Sequence, residues 1–156
     1  MESTMIASAL YQVAEIELVY KTKVKVSERP QIKTSSDAYE VLKQSWDENK
    51  IEFVEQFKVV LLNRANKVLG IYEVSTGGIS GTVADIRLIF AAAIKCNASS
   101  IVLAHNHPSS NTKPSEADIQ LTRRIKEAGK LLEIKVIDHI IVTVEKYFSF
   151  ADEGEI

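Results

Sequence analysis

The alternation of apolar and polar positions divides the chain into strands and helices before any single residue is weighed. Residues 55–62 are the strongest strand. Glu55, Phe57, Val59 and Leu61 fall on one of its faces, because alternate side chains of an extended chain point the same way. Residues 63–67 read as a turn and 68–74 as the returning strand. Residues 99–105 are almost continuously apolar, the pattern of a central strand covered on both faces. Residues 134–137 and 139–144 read as two further strands, and 147–150 as a last short one. Residues 13–26 also read as extended: Ile16, Leu18 and Tyr20 alternate with Glu17, Val19 and Lys21.

Three helices interrupt these strands. Ser35, Ser36 and Asp37 offer N-caps, and Asp37 with Glu40 fits a capping box. The helix they open has an apolar stripe of Ala38, Tyr39, Leu42 and Trp46 and ends near Trp46. Thr82 to Asp85 offers a second box, and residues 83–94 are apolar on nearly every side, which predicts a buried helix. Residues 115–132 form the third, with Ala117, Leu121, Ile125, Ala128 and Leu132 in one stripe. Strands and helices mixed in this order predict an α/β or α+β sandwich around one sheet.

Composition narrows the class. The chain has 156 residues, 46% of them apolar, enough for the core of one domain. The 34 residues before the first helix read as an extended segment packed on or beside a domain spanning 35–156. A net charge of −2 is not the electrostatic footprint of a nucleic-acid binder. The lone cysteine, Cys96, cannot form an intramolecular disulfide, so nothing points to an oxidising compartment. No apolar run reaches the ~18 residues of a membrane span, and the first residues lack the blocks of a signal peptide. The expectation is a cytoplasmic protein.

Candidate chemistry gathers where the buried strand ends. His105-Asn106-His107-Pro108 places two imidazoles on one side of an extended chain, so both can reach one metal ion. Asp118 comes in the first turn of the third helix if Ser115 caps it. Two histidines and one aspartate make a three-ligand site with a fourth position open, the arrangement of a catalytic zinc. Hydrolysis also needs a proton acceptor, and Glu52 and Glu55 are the upstream candidates. Glu55 is favoured because it shares the inward face with Phe57, Val59 and Leu61. The Ser115 hydroxyl has two readings, helix N-cap and hydrogen-bond donor to an oxyanion, and the two compete for one oxygen. His139, at an expected strand junction after Asp138, reads as structural.

His105-Asn106-His107-Pro108-Ser109, with Pro114-Ser115 and Asp118, resembles the JAMM (MPN/JAB) metalloprotease signature in its RadC-like form. Similarity extends to residues 57–62, Asn97-Ala98-Ser99-Ser100, Val136-Ile137-Asp138-His139 and Phe148-Ser149-Phe150-Ala151, covering residue 36 onward. The resemblance implies a cytidine-deaminase-like three-layer α/β/α sandwich with a mixed sheet. It implies Zn2+ on His105, His107 and Asp118, Glu55 as base and Ser115 as oxyanion helper. It further implies a peptidase or isopeptidase using zinc-activated water, with a peptide or ubiquitin-like protein as substrate. The alternative is a non-catalytic metal-binding module serving DNA repair or mobile-element function, with nucleic acid as partner. Self-association through the extended segment is a further expectation. The family commonly carries an N-terminal helix-hairpin-helix module, for which residues 1–34 leave no room, and this weakens a duplex-DNA role. Ser110-Asn111 stands where the family usually has Gly-Asp, and residues 82–87 depart from its His-Pro-Arg-Glu run.

Overall fold

Strands β1 (Gln56–Leu62) and β3 (Ser100–Asn106) are buried along their whole length, so elements must cover both of their faces. A computed structural model describes residues 12–78 and 83–156. With β2 (Val68–Thr76), β4 (Lys135–Val142) and β5 (Tyr147–Ser149), they form one sheet in the order β2-β1-β3-β4-β5. β3 is central, antiparallel to β1 and parallel to β4, and the two outer pairs are antiparallel, so the sheet is mixed. A parallel pair needs a crossover connection, and the helix between β3 and β4 supplies it.

That helix is α3 (Glu116–Leu131); α1 (Ser35–Ser45) and α2 (Ile86–Lys95) precede it. Strand alternation sends Phe57, Val59, Leu61, Ile101 and Leu103 to one face, against Ile89, Phe90 and Ala93 of α2 and Ile125 of α3. The intervening Val60, Leu62, Val102 and Ala104 pack on the other face against Ala38, Tyr39 and Leu42 of α1 and against Trp46. The fold is therefore α/β, with helices on both faces of a five-stranded mixed sheet. Among the described residues no helix is long and apolar enough to cross a membrane.

Several expectations are corrected in detail. The first capping box lies three residues earlier, pairing Thr34 with Asp37 rather than Asp37 with Glu40. Thr82 lies outside the described residues; α2 begins at Ile86, capped by the Asp85 side chain, which accepts from the Arg87 amide. This helix is buried on one face only, since Leu88 and Ile94 are exposed. Cys96 is its buried C-cap. On α3 the buried positions are Thr122, Ile125 and Gly129, whereas Ala117 and Leu132 are exposed. The apolar stripe is thus rotated about its axis, and Gly129 explains why. A Cβ there would sit 2.3 Å from the Ile134 carbonyl oxygen, so the helix docks through its smallest residue. The extended segment forms no strand over residues 12–25. Its alternation fits a strand, but no ladder forms, and the Tyr20 hydroxyl instead donates to the Leu69 carbonyl of β2.

The two strands expected on either side of Asp138 are one strand with a bulge. Ile101 pairs with Val136 and the next residue, Val102, with Asp138, which leaves Ile137 as the extra residue. A bulge resets the side-chain phase of the residues after it. Val136 lies in the α2–α3 core, Ile137 packs on the α1 side, and the reset turns His139 back toward Phe57 and His105. Asp138 is left to hold β5, accepting from the His139 and Ala151 amides at 2.7 and 3.0 Å and the Ser149 hydroxyl at 2.7 Å.

Candidate metal centre

The end of β3 places His105 inside the fold, 2% exposed, and His107 one step beyond the strand on the same side. Their Nε2 atoms are 3.0 Å apart. Asp118, in the first turn of α3, brings its Oδ2 to 3.4 Å from each of them. A tetrahedral ion with bonds of ~2.0–2.1 Å separates its ligand atoms by ~3.3–3.4 Å. The two contacts to Asp118 have that size and the one between the imidazoles is shorter, a spacing close to that of two imidazoles and one carboxylate around a divalent ion. The Oε1 of Glu55, just before β1, lies 4.0 Å from the His107 Nε2. Ligand atoms of Glu55, His105 and His107 all lie within 4.8 Å of one another, so a second carboxylate faces the same point. Glu52 is exposed and makes no such approach.

The asparagine between the two histidines holds the Glu55 loop. Strand alternation turns Asn106 away from the imidazoles, where it is fully buried. Its Nδ2 donates to the carbonyls of Ile51 and Val54 at 2.7 and 2.9 Å, and its Oδ1 accepts from the Gln56 amide at 2.7 Å. Residues 51–56 are thereby tied to the end of β3, with Glu55 between two anchored neighbours. Sequence reasoning passed over Asn106; the signal for it was a polar residue inside a strand buried on both faces.

Hydrogen bonds also orient the rings. The His107 Nδ1 lies 2.6 Å from the Asn111 carbonyl, which only accepts, so this nitrogen carries a proton and leaves Nε2 bare in the neutral ring. The loop that delivers this carbonyl bends at Ser110, which has φ 66°, a conformation that a glycine adopts without a Cβ penalty. The His105 Nδ1 meets the His139 Nε2 at 2.8 Å, and the His139 Nδ1 meets the Thr122 hydroxyl at 2.6 Å. His139 is not at a strand junction; it lies within β4, fully buried, with its ring stacked on Phe150 at 4.6 Å.

Burial opposes the charge on Asp118, but the adjoining imidazoles of His105 and His107 outweigh it and hold the carboxyl well below the usual carboxylate range. The Asp118 carboxylate in turn raises the His107 ring above its ordinary value, against the effect of burial. Burial pushes His139 well below its ordinary value. The centre thus pairs an anionic carboxylate with a neutral inner ring. Ser115 caps α3: its Oγ accepts from the Asp118 amide at 3.1 Å, while Asp118 Oδ2 accepts from the Ser115 amide at 2.8 Å. The cap uses the hydroxyl as an acceptor and leaves its proton available, so the competition expected between its two roles is relieved.

Residues 32–155 match the model of the RadC-like JAB domain. A UPF0758 protein of Flavobacterium johnsoniae is 40% identical over 149 residues, which is 95% of this chain and 64% of that protein. A UPF0758 protein of Clostridium beijerinckii is 37% identical over 148 residues, 95% of this chain and 63% of its own. A UPF0758 protein of Porphyromonas gingivalis is 50% identical over 101 residues, 64% of this chain and 44% of its own. The chain therefore spans less than two thirds of the length of these curated relatives. The match covers every residue of the centre, from Glu55 through Asp118 to His139, and the chain belongs to the RadC-like JAB domain family.

Proposed function

We propose that the chain is a zinc-dependent hydrolase of amide bonds, a peptidase or isopeptidase. One observation carries this reading: Nε2 of His105, Nε2 of His107 and Oδ2 of Asp118 converge on one point, with both Asp118 contacts at tetrahedral spacing, and a second carboxylate stands just outside them. Asp118 is nearer than Glu55 to the shared point, which makes Asp118 the third ligand and leaves Glu55 for proton transfer. Zinc held there supplies Lewis acidity toward a carbonyl oxygen and lowers the pKa of a water toward ~7.

The chain's own residues supply the rest. Glu55 is half-buried and fixed by the Asn106 anchors, so its carboxylate takes the proton of the attacking water and passes it to the leaving amine. The Ser115 hydroxyl, whose proton the cap does not consume, donates to the oxygen that gains charge when the carbonyl is attacked. Helices on both sheet faces are in keeping with the cytidine-deaminase-like layering implied by the JAMM resemblance. The substrate class that the JAMM resemblance implies is a peptide or a ubiquitin-like protein.

The test is zinc content by plasma mass spectrometry beside cleavage of a mixture of unstructured peptides. Glu55→Gln should keep one zinc per chain and lose cleavage, and His107→Ala should lose the zinc. Cleavage undiminished in Glu55→Gln, or stoichiometric zinc in His107→Ala, would overturn the reading. A scaffold without turnover would show no cleavage in the wild type either.

A further inference from the structure

We infer that His139 and Thr122 are positioning residues that hold His105 in the one neutral tautomer able to bind a metal. The inference rests on the metal-site reading and adds to it what prepares the ligand. A buried relay of hydrogen bonds leads away from His105, and its far end sets its direction. There the Thr122 Oγ1 lies 2.7 Å from the backbone carbonyl oxygen of Asp118. Two oxygens that close need a proton between them, and the carbonyl has none to give. The hydroxyl therefore spends its only hydrogen there.

The same Oγ1 lies 2.6 Å from the Nδ1 of His139, so at this contact the ring must be the donor. His139 is fully buried, and its two ring nitrogens meet a hydroxyl and an imidazole, with no carboxylate to stabilise an imidazolium. The ring is neutral, with Nδ1 protonated and Nε2 bare. A bare Nε2 at 2.8 Å obliges the Nδ1 of His105 to donate. The neutral His105 ring then presents a lone pair at Nε2, toward His107 and Asp118. Each step has one direction because the relay ends on an atom that only accepts.

The relay crosses three elements. It runs from the end of β3 through β4 to α3, and it finishes on the backbone of Asp118, a second member of the donor set. Hydrogen bonds to the far nitrogen of a ligating histidine fix its tautomer and ring angle, and losing them weakens metal binding by about 10–100-fold. Thr122 has a second reading, a threonine satisfying its own helix by bonding to the carbonyl four residues back. That reading explains the contact to Asp118 and leaves the one to His139 without a purpose.

The experiment uses the metal-free chain and zinc alone. Imidazole 15N NMR should find His105 with its proton on Nδ1 in the wild type. In Thr122→Val, which keeps the shape and removes the hydroxyl, that preference should be lost and zinc should bind about 10–100-fold more weakly. Thr122→Ser should restore both. His139→Phe should weaken zinc to a similar degree; if it fails to fold, the Thr122 pair carries the test. Cobalt spectra should keep the same ligand set throughout. His105 protonated on Nε2 in the wild type overturns the inference, as does Thr122→Val with wild-type tautomer and affinity. Wild type that carries the Nδ1 proton but takes up no zinc refutes the metal reading and leaves the relay standing.

Discussion

Ser115 shows how one atom can serve structure and chemistry together. Its oxygen accepts the Asp118 amide, and the Asp118 carboxylate returns the bond to the Ser115 amide with the same Oδ2 that faces the two imidazoles. The cap therefore also sets the angle of a ligand. Removing it in Ser115→Ala should cost about 1 kcal/mol of stability. Ser115→Asn keeps a capping oxygen and should restore most of that, because Asn and Ser cap about equally well. If the hydroxyl also assists the oxyanion, peptide cleavage falls in both variants while urea midpoints fall only in Ser115→Ala. Cleavage that recovers in Ser115→Asn would confine Ser115 to capping.

The elements show what could be read from the chain and what could not. The His-x-His pair was legible because strand alternation is local: residues two apart share a side whatever the rest of the fold does. Asp118 was legible because an N-cap at Ser115 dictates where the first turn of α3 points. His139 reads as structural, but its place inside the strand and its facing were not legible, for a physical reason. Its facing depends on the bulge at Ile137, and the bulge arises from the pairing of Val136 and Asp138 with β3, which no local pattern records. The rotation of α3 was hidden in the same way, since it depends on a single close approach. A side chain at Gly129 would meet the Ile134 backbone, and the Ile134 amide is itself bound to the Gly129 carbonyl at 2.8 Å. Helix propensity alone would favour Gly129→Ala by about 1 kcal/mol. The clash should outweigh it, since overpacking a fixed contact costs about 1–3 kcal/mol and neither partner can move without breaking that bond. Gly129→Ala should therefore lower the urea midpoint and weaken zinc binding, because α3 carries both Asp118 and Thr122. A more stable Gly129→Ala would mean that α3 is free to shift along the sheet.

At the scale of the whole molecule, the centre is where separate parts of the chain meet. Glu55 comes from the loop before β1, His105 and His107 from the end of β3, and Asp118 from α3, while His139 reaches in from β4. An ion bound by these groups exists only in the folded state, so it stabilises the fold by mass action. Zinc at about 100 times its dissociation constant contributes about 2.7 kcal/mol, which for a chain of this size corresponds to roughly 5–11 °C in Tm. Chelation by EDTA should remove that increment from the wild type, and zinc should give His107→Ala no comparable gain. The loss should also be local. Amides of residues 107–122, tied to the sheet through the centre and the Thr122 relay, should exchange faster after chelation. Those of β1 should keep their protection, because Val59, Val60 and Leu62 are buried in the two cores whatever the centre holds. Equal melting of chelated and zinc-loaded wild type would mean that the three donors converge without binding the ion, and that hydrogen bonds and packing alone hold α3 against β3.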